Sequence, residues 1–153
     1  MIEIRREDLT SETAQALIGA LNAELCMRYP GDGGVEYFRL DPDEVRAGRG
    51  AFLVAYDADK PVGCGAVRVI ERGIAEIKRM YVLPDRRGHG IARLVLAALE
   101  DEARLLGVAR LLLETGTRQP EAIALYSNAG FFPTDPFGEY PPSPLNVFFE
   151  KRL

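Results

Sequence analysis

The sequence is poor in the residue types that build metal sites. It holds two cysteines, one histidine and no tryptophan. Cys26 and Cys64 belong to no Cys-x-x-Cys or Cys/His pattern, so no metal site is suggested. Cys64 lies in a strand pattern of small residues and Cys26 in a helical pattern. Both cysteines are therefore expected to be small buried hydrophobes.

Long apolar runs and an excess of basic charge are also missing. No apolar run approaches the roughly 20 residues that a membrane span requires, and residues 1–10 are charged without the apolar core of a signal peptide. We therefore expect a cytoplasmic protein without a membrane partner. The net charge of −4 argues against a general nucleic-acid binder, which would carry a basic face.

The chain has enough residues and enough apolar character for one folded unit. It holds 153 residues, 47% hydrophobic and 27% charged, which predicts a single domain spanning residues 1–153. Alternating and 3.6-residue patterns predict a strand, two helical segments, three antiparallel strands, a long helix, a strand, a short helix and two strands. This order predicts a mixed α/β fold, with helices on both faces of a largely antiparallel sheet.

A glycine-containing turn precedes the long predicted helix. The run Arg87-Gly88-His89-Gly90-Ile91-Ala92 follows a strand pattern and opens an apolar stripe of helical spacing. Glycines let the backbone approach a ligand, and a helix N-terminus offers free N–H groups, so the turn suits a pyrophosphate. A Walker loop is excluded because Gly-Lys-Ser/Thr is absent, and no first βαβ unit is present for a dinucleotide fingerprint. An ordinary glycine-containing helix entry remains the alternative.

Two segments resemble signature motifs of one enzyme family. The segment from Glu76 to Ala92 is similar to motif A of the GNAT N-acetyltransferases, whose signature Gln/Arg-x-x-Gly-x-Gly/Ala is matched by Arg87, Gly90 and Ala92. The segment from Ala122 to Phe131 resembles motif B, with its Leu-Tyr-x-x-x-Gly-Phe core. The element order agrees over residues 2–152, so the resemblance covers nearly the whole chain.

The resemblance implies acetyl-CoA as the cofactor and a set of residues that bind it. The backbone N–H groups of the glycine turn would hold the pyrophosphate, and the main chain of the preceding strand would bind the pantetheine arm. The implied cofactor-binding residues are Met80, Tyr81, Val82, Arg87, Gly88, His89, Gly90, Ile91, Ala92, Gln119 and Tyr126. Gln119 departs from the family pattern, which has Asn there. The sheet is expected to splay between the strand ending at Leu83 and the strand from Ala109 to Glu114.

The resemblance also implies two proton-transfer residues. Tyr126 is the candidate acid for the departing CoA thiolate, with a packed core tyrosine as the alternative. Glu76, six residues before Val82, is the candidate base, and its alternative role is a charge partner of Lys78 or Arg68 on the sheet. Glu114 and a water relay remain open as rival bases.

Two tempting assignments are set aside. His89 lies inside the phosphate turn, where a solvent-facing side chain is expected rather than a catalytic base. Cys64 and Cys26 have no activating neighbour in the sequence, so direct transfer in a ternary complex is expected rather than an acetyl-cysteine intermediate.

The resemblance also implies that the acceptor lies between two segments, Met27 to Leu40 and Thr134 to Leu145. Their candidate contacts are Arg28, Tyr29, Asp32, Glu36, Tyr37, Arg39, Asp135, Phe137, Glu139 and Tyr140. Carboxylates with aromatics suit an ammonium group, and an arginine would suit a substrate carboxylate. A small amine, an amino acid, an antibiotic and a protein lysine all remain open as the acceptor. A protein or N-terminal acetyltransferase, and a non-catalytic CoA-binding sensor, are the alternative functions. A homodimer joined through Val147, Phe148 and Phe149 is a further expectation.

Overall fold

The computed structural model describes residues 1–30, 39–140 and 143–153. Strands and helices follow one another there in the order that the sequence predicts. The strands are β1 (Ile2–Arg6), β2 (Gly50–Asp57), β3 (Lys60–Glu71), β4 (Ile74–Val82), β5 (Arg110–Gly116), β6 (Phe132–Pro133) and β7 (Asn146–Arg152). The helices are α1 (Glu12–Arg28), α2 (Ile91–Leu105) and α3 (Pro120–Asn128), with short 3-10 turns at Pro42–Val45 and Pro84–Arg86.

The strands form one sheet in the order β1-β2-β3-β4-β5-β7-β6. Every neighbouring pair is antiparallel except β4 and β5, which run parallel with α2 as their crossover. Short turns link β2 to β3 and β3 to β4, and such links permit only hairpins. The predicted mixed α/β class with a largely antiparallel sheet is confirmed.

Helices cover both faces of the sheet, as predicted. Ser11 caps α1, its hydroxyl accepting a hydrogen bond from the Ala14 N–H at 3.0 Å. One face of α1 packs with Phe52, Val54 and Tyr81 on one side of the sheet. On the other side, α2 and α3 both contribute to one core cluster against the sheet. The apolar residues of α2 repeat every four positions, which brings one face of the helix to the core: Ile91, Val95, Leu99 and Ala103.

The ladder between β4 and β5 is short. Ile74 to Ile77 pair with Arg110 to Leu113, and no described pairing of β4 with β5 continues beyond Ile77. The remainder of β4 pairs only with β3. The predicted splay between these two strands is therefore present, and it opens a cleft in the middle of the sheet.

A bulge distorts β4 beside this cleft. Opposite β3, Cys64 pairs with Tyr81 and Ala66 with Lys78, so β4 carries one extra residue. Arg79 accommodates it in the left-handed region, with φ of 59°. The extra residue turns the side chains of Lys78 and Arg79 to the same face, where Arg79 contacts Asn22 of α1.

The burial of individual side chains tests the expectations for the two cysteines. Cys64 is buried as predicted, but the same prediction for Cys26 is wrong because position 26 lies on the solvent side of α1. Phe148 and Phe149 are buried within the chain, so they offer no surface to a second copy. Among the described residues, no helix is both long and apolar enough to cross a membrane.

Candidate active site

A cavity of about 500 Å³ lies where the sheet splays. Its walls come from α1, from β4 beyond Ala75, from the turn before α2, from the end of β5 and from α3. Tyr140, in the segment before β7, closes part of one side. The volume suits an elongated organic ligand held between secondary-structure elements.

The glycine turn borders one end of this cavity. Gly88 and Gly90 adopt φ of +83° and +81°, a region that side chains rarely enter. A Cβ at either position would meet no heavy atom within 4 Å, so open space lies in front of both. The first backbone hydrogen bond of α2 runs from the Leu94 N–H to the Gly90 carbonyl, which leaves the preceding N–H groups for an anion.

Both arginines beside the turn are already paired. The Arg87 guanidinium donates to the Val82 carbonyl at 2.9 Å and to the Glu24 carboxylate at 2.8 Å, while Arg86 pairs with Asp57. Arg87 therefore braces the turn against β4 and α1. Main-chain N–H groups and the helix dipole are what the turn offers to a phosphate.

The cavity-facing edge of β4 offers unpaired peptide groups. The Leu83 N–H donates to the Val62 carbonyl of β3 at 3.0 Å. Successive residues of a strand direct their peptide groups to opposite sides, so the Val82 N–H faces away from β3 toward the cleft. Met80, Tyr81 and Val82 all border the cavity. An extended ligand arm can therefore pair with β4 as a missing strand would.

Tyr126 lies at the wall of the cavity with its ring in the core. The ring packs edge-on against Phe131 at 5.7 Å between centroids and near Phe149 at 6.5 Å. Its hydroxyl has no hydrogen-bond partner in the described part of the chain. Every fully buried polar side-chain atom there does have a partner, so this hydroxyl is not fully buried, and we infer that it reaches the cavity. Burial, and secondarily the carboxylate of Glu114, raise the pKa of Tyr126 above its ordinary value. The phenol therefore keeps its proton at neutral pH.

Glu76 lies deeper than the wall of the cavity. Its side chain is 1% exposed; one carboxylate oxygen accepts two hydrogen bonds from Arg68, at 2.9 and 3.1 Å, and the other accepts one from the Tyr140 hydroxyl. Arg68 is one of the two charge partners that the sequence suggested. Among these groups Tyr140 borders the cavity, as does the rival base Glu114.

The remaining candidates from the sequence differ in whether they border the cavity. The His89 side chain is exposed and stays off the cavity wall, while Gln119 borders it and accepts a hydrogen bond from the Tyr29 hydroxyl at 3.4 Å. Burial raises the pKa of Cys64 to about 12, and its thiol donates to the Arg79 carbonyl. A thiol of this kind is a poor nucleophile.

Several of the predicted acceptor contacts instead form contacts within the chain. Arg28 pairs with Glu121, and its Nη1 donates to the Arg118 carbonyl at 3.1 Å, so α1 is tied to the loop before α3. Arg39 pairs with Asp41 at the surface. Tyr140 is the predicted contact that borders the cavity, while Phe137 packs edge-on against it. Asp32, Glu36 and Tyr37 lie outside the described residues.

Two functional candidates escape a sequence argument. Lys78 and Arg79 border the cavity with 8% and 9% of their surfaces exposed. A period-two pattern places neighbouring residues on opposite faces, and only the bulge brings these two together. The one signal in the sequence is a pair of basic residues inside a strand that is otherwise apolar.

A helix N-terminus with free N–H groups, an open strand edge and a protonated tyrosine border one cavity, an arrangement that suits an acyl-CoA-dependent transferase. The comparisons with known proteins agree. The profile of the Acetyltransferase (GNAT) family matches residues 18–131, and the chain belongs to this family. It is therefore an N-acetyltransferase that uses acetyl-CoA.

Three similar proteins span almost the whole chain. An "IAA acetyltransferase" of Azospirillum brasilense is 41% identical, covering 99% of this chain and 98% of its own. A solved structure from Klebsiella pneumoniae, described as an acyl-CoA N-acyltransferase, is 36% identical with a TM-score of 0.84, covering 100% and 98%. The PaiA N-acetyltransferase of Thermoplasma acidophilum, solved with coenzyme A, shares the fold at a TM-score of 0.74 and 19% identity, covering 100% and 99%.

Proposed function

We propose that this protein transfers the acetyl group of acetyl-CoA directly to a primary amine of a small molecule. The observation that carries the proposal is the shared cavity: the phosphate turn, the open edge of β4 and the Tyr126 hydroxyl all border it. A pyrophosphate at the turn and a pantetheine arm along β4 lead the thioester toward the splay. Direct transfer is favoured because the buried Cys64 thiol stays protonated.

The reaction needs two proton transfers. The amine nitrogen attacks the thioester carbon, the C–S bond breaks, and the CoA thiolate leaves. Tyr126 donates the phenolic proton to that sulfur, and the Val82 N–H stabilises the oxygen that gains charge during attack. The raised pKa of Tyr126 keeps this proton available at neutral pH.

Glu76 is proposed as the base and acts through Tyr140. The acceptor ammonium first loses a proton to the Tyr140 hydroxyl, which passes its own proton to the Glu76 carboxylate that it already contacts. The resulting neutral amine then attacks the thioester. Glu114 and a water relay are the rivals, and Glu114 borders the cavity directly. We expect Glu76→Gln and Tyr140→Phe to lower kcat by similar factors, with no further loss in the double variant. If Glu114→Gln alone abolished kcat while Glu76→Gln did not, the base would be Glu114.

The acceptor is proposed to be a small amine or an amino acid. The partly enclosed cavity and the 41% identical relative named "IAA acetyltransferase" favour a small molecule over a protein lysine or N-terminus. A cytoplasmic location, a single domain over residues 1–153, a homodimer and the absence of a nucleic-acid partner stay predictions.

The test is free-thiol release from acetyl-CoA across amines, amino acids, polyamines, aminoglycosides and lysine peptides. We expect release with small amines and none with peptides, together with a rise in Tm when acetyl-CoA is added. Peptide turnover alone would establish the protein acetyltransferase. A Tm rise without any turnover would favour the sensor domain.

A further inference from the structure

Two adjacent cations stand buried at one end of the cavity. Lys78 Nζ donates to the Arg39 carbonyl at 2.8 Å, and the Arg79 guanidinium donates to the side-chain carbonyl of Asn22. Neither cation forms an ion pair with any carboxylate of the described residues. Both side chains are more than nine-tenths buried, and both border the cavity.

This arrangement is costly unless an anion completes it. A charged group loses most of its hydration on burial, and neutral hydrogen-bond partners replace only part of that hydration. Burial lowers the pKa of both Lys78 and Arg79. An anion bound between the two would recover the lost stabilisation as charge-assisted hydrogen bonds.

The nearest carboxylates are already committed. Glu76 and Glu44 attract Lys78 electrostatically, but both pair directly with Arg68. With those two carboxylates and three cations, the group carries a net charge of +1. Among the described residues, this group of five therefore has one more positive than negative charge, which suits one singly charged anion.

The position excludes the phosphates of CoA as that anion. Lys78 lies four residues before Val82 on β4, which is roughly 13 Å along an extended strand. The phosphate turn lies beyond the other end, after Val82. The two cations therefore lie toward the acetyl group, where the acceptor must approach.

We propose that Lys78 and Arg79 bind the carboxylate of the acceptor, so the substrate class is an amino acid with a free carboxylate. This assignment rests on the proposed acetyl transfer. The guanidinium of Arg79 offers the planar fork that matches a carboxylate, and Lys78 adds a point charge beside it. The acceptor carboxylate at these cations and the thioester at the splay together orient the amine for attack.

The experiment compares matched acceptors on the wild-type enzyme. Free amino acids, their amides and the corresponding decarboxylated amines are assayed for kcat/KM with saturating acetyl-CoA. A charge-assisted hydrogen bond contributes about 1.5–3 kcal/mol, so we expect the amide and the amine to be worse by about 10- to 150-fold. Equal kcat/KM for the acid and its amide would overturn the assignment. Absence of turnover with every acceptor would instead count against the proposed transfer itself.

Two variants and a control locate the effect. Lys78→Gln and Arg79→Gln should raise KM for the amino acid by at least about tenfold and leave KM for the amide unchanged. Lys60→Gln removes an equal charge from the exposed first residue of β3 and should change neither. Binding of the amino acid to the CoA-loaded protein, followed by calorimetry, should weaken in parallel. Arg79→Lys is the charge-conserving variant of the series. If folded Lys78→Gln and Arg79→Gln bind the amino acid as tightly as the wild type does, these cations do not hold its carboxylate.

Discussion

Replacing Tyr126 by phenylalanine removes one hydroxyl and leaves the ring packing against Phe131 and Phe149. That hydroxyl has no hydrogen-bond partner among the described residues, so its loss breaks no internal bond. We expect the free energy of unfolding to change by less than about 1 kcal/mol, which is a Tm shift of no more than about 2–4 °C for a chain of this size.

The same substitution should have a large effect on turnover. A positioned general acid contributes about 10²- to 10⁴-fold, so kcat should fall by at least about a hundredfold while the Kd for acetyl-CoA stays close to wild type. Burial raises the pKa of Tyr126, so the wild-type rate should show no loss of this acid below about pH 10.

Three assays test the prediction together: thiol release for kcat, calorimetry for acetyl-CoA affinity, and thermal unfolding. Tyr81→Phe is the matched control, because Tyr81 is also buried at the cavity wall but lies on the α1 side, and its kcat should remain near wild type. A Tyr126→Phe variant with wild-type kcat would remove the hydroxyl from the mechanism. A collapse of Tm would show that the ring environment had been misjudged.

Three further perturbations follow from the structure. Gly90→Glu should abolish acetyl-CoA binding in calorimetry by placing a carboxylate at the phosphate turn, whereas Gly107→Glu, at a similar positive φ beyond the other end of α2, should leave the affinity intact. Burial raises the pKa of Cys64 from 9.0 to about 12. The protonated thiol therefore contributes fully to the free energy of unfolding below pH 9, and this contribution is lost as the pH rises toward 12, with roughly 3 kcal/mol lost by pH 11. In urea unfolding from pH 8 to 11, the free energy of unfolding should therefore decline less for Cys64→Ala than for the wild type. For Cys26→Ala, at the surface, it should decline as it does for the wild type. Arg68→Met should cost about 3–5 kcal/mol in urea unfolding because it strands a buried carboxylate, and a loss below 1 kcal/mol would contradict that pairing.

Local patterns in the sequence are enough to predict most of the fold. The α2 stripe depends on residues within a few positions of each other, and it appears where the pattern places it. The phosphate turn is equally local, because its two glycines and the following helix are contiguous. The splay was predicted from the family resemblance rather than from any pattern of residues.

The remaining features depend on contacts between distant parts of the chain. Tyr140 reaches Glu76 across 64 positions, and no local pattern predicts such a pair. The bulge at Arg79 inverts the alternation of β4, so a period-two argument misplaces its neighbours. Cys26 was misjudged for a simpler reason: an apolar residue one position beyond the buried stripe of a helix turns about 100° toward solvent.

The short seam between β4 and β5 has a mechanical consequence. In the described residues, strand pairing between the β1–β4 half of the sheet and the β5–β7–β6 half is limited to four residue pairs, from Ile74 with Arg110 to Ile77 with Leu113. We expect this seam to be a weak part of the sheet in the absence of acetyl-CoA, so amides near the splay should exchange hydrogen faster than those at the centre of either half. A pantetheine arm bound along β4 would connect the two halves of the sheet. We therefore expect acetyl-CoA to stiffen the sheet when it binds, which favours a binding order with the acceptor second.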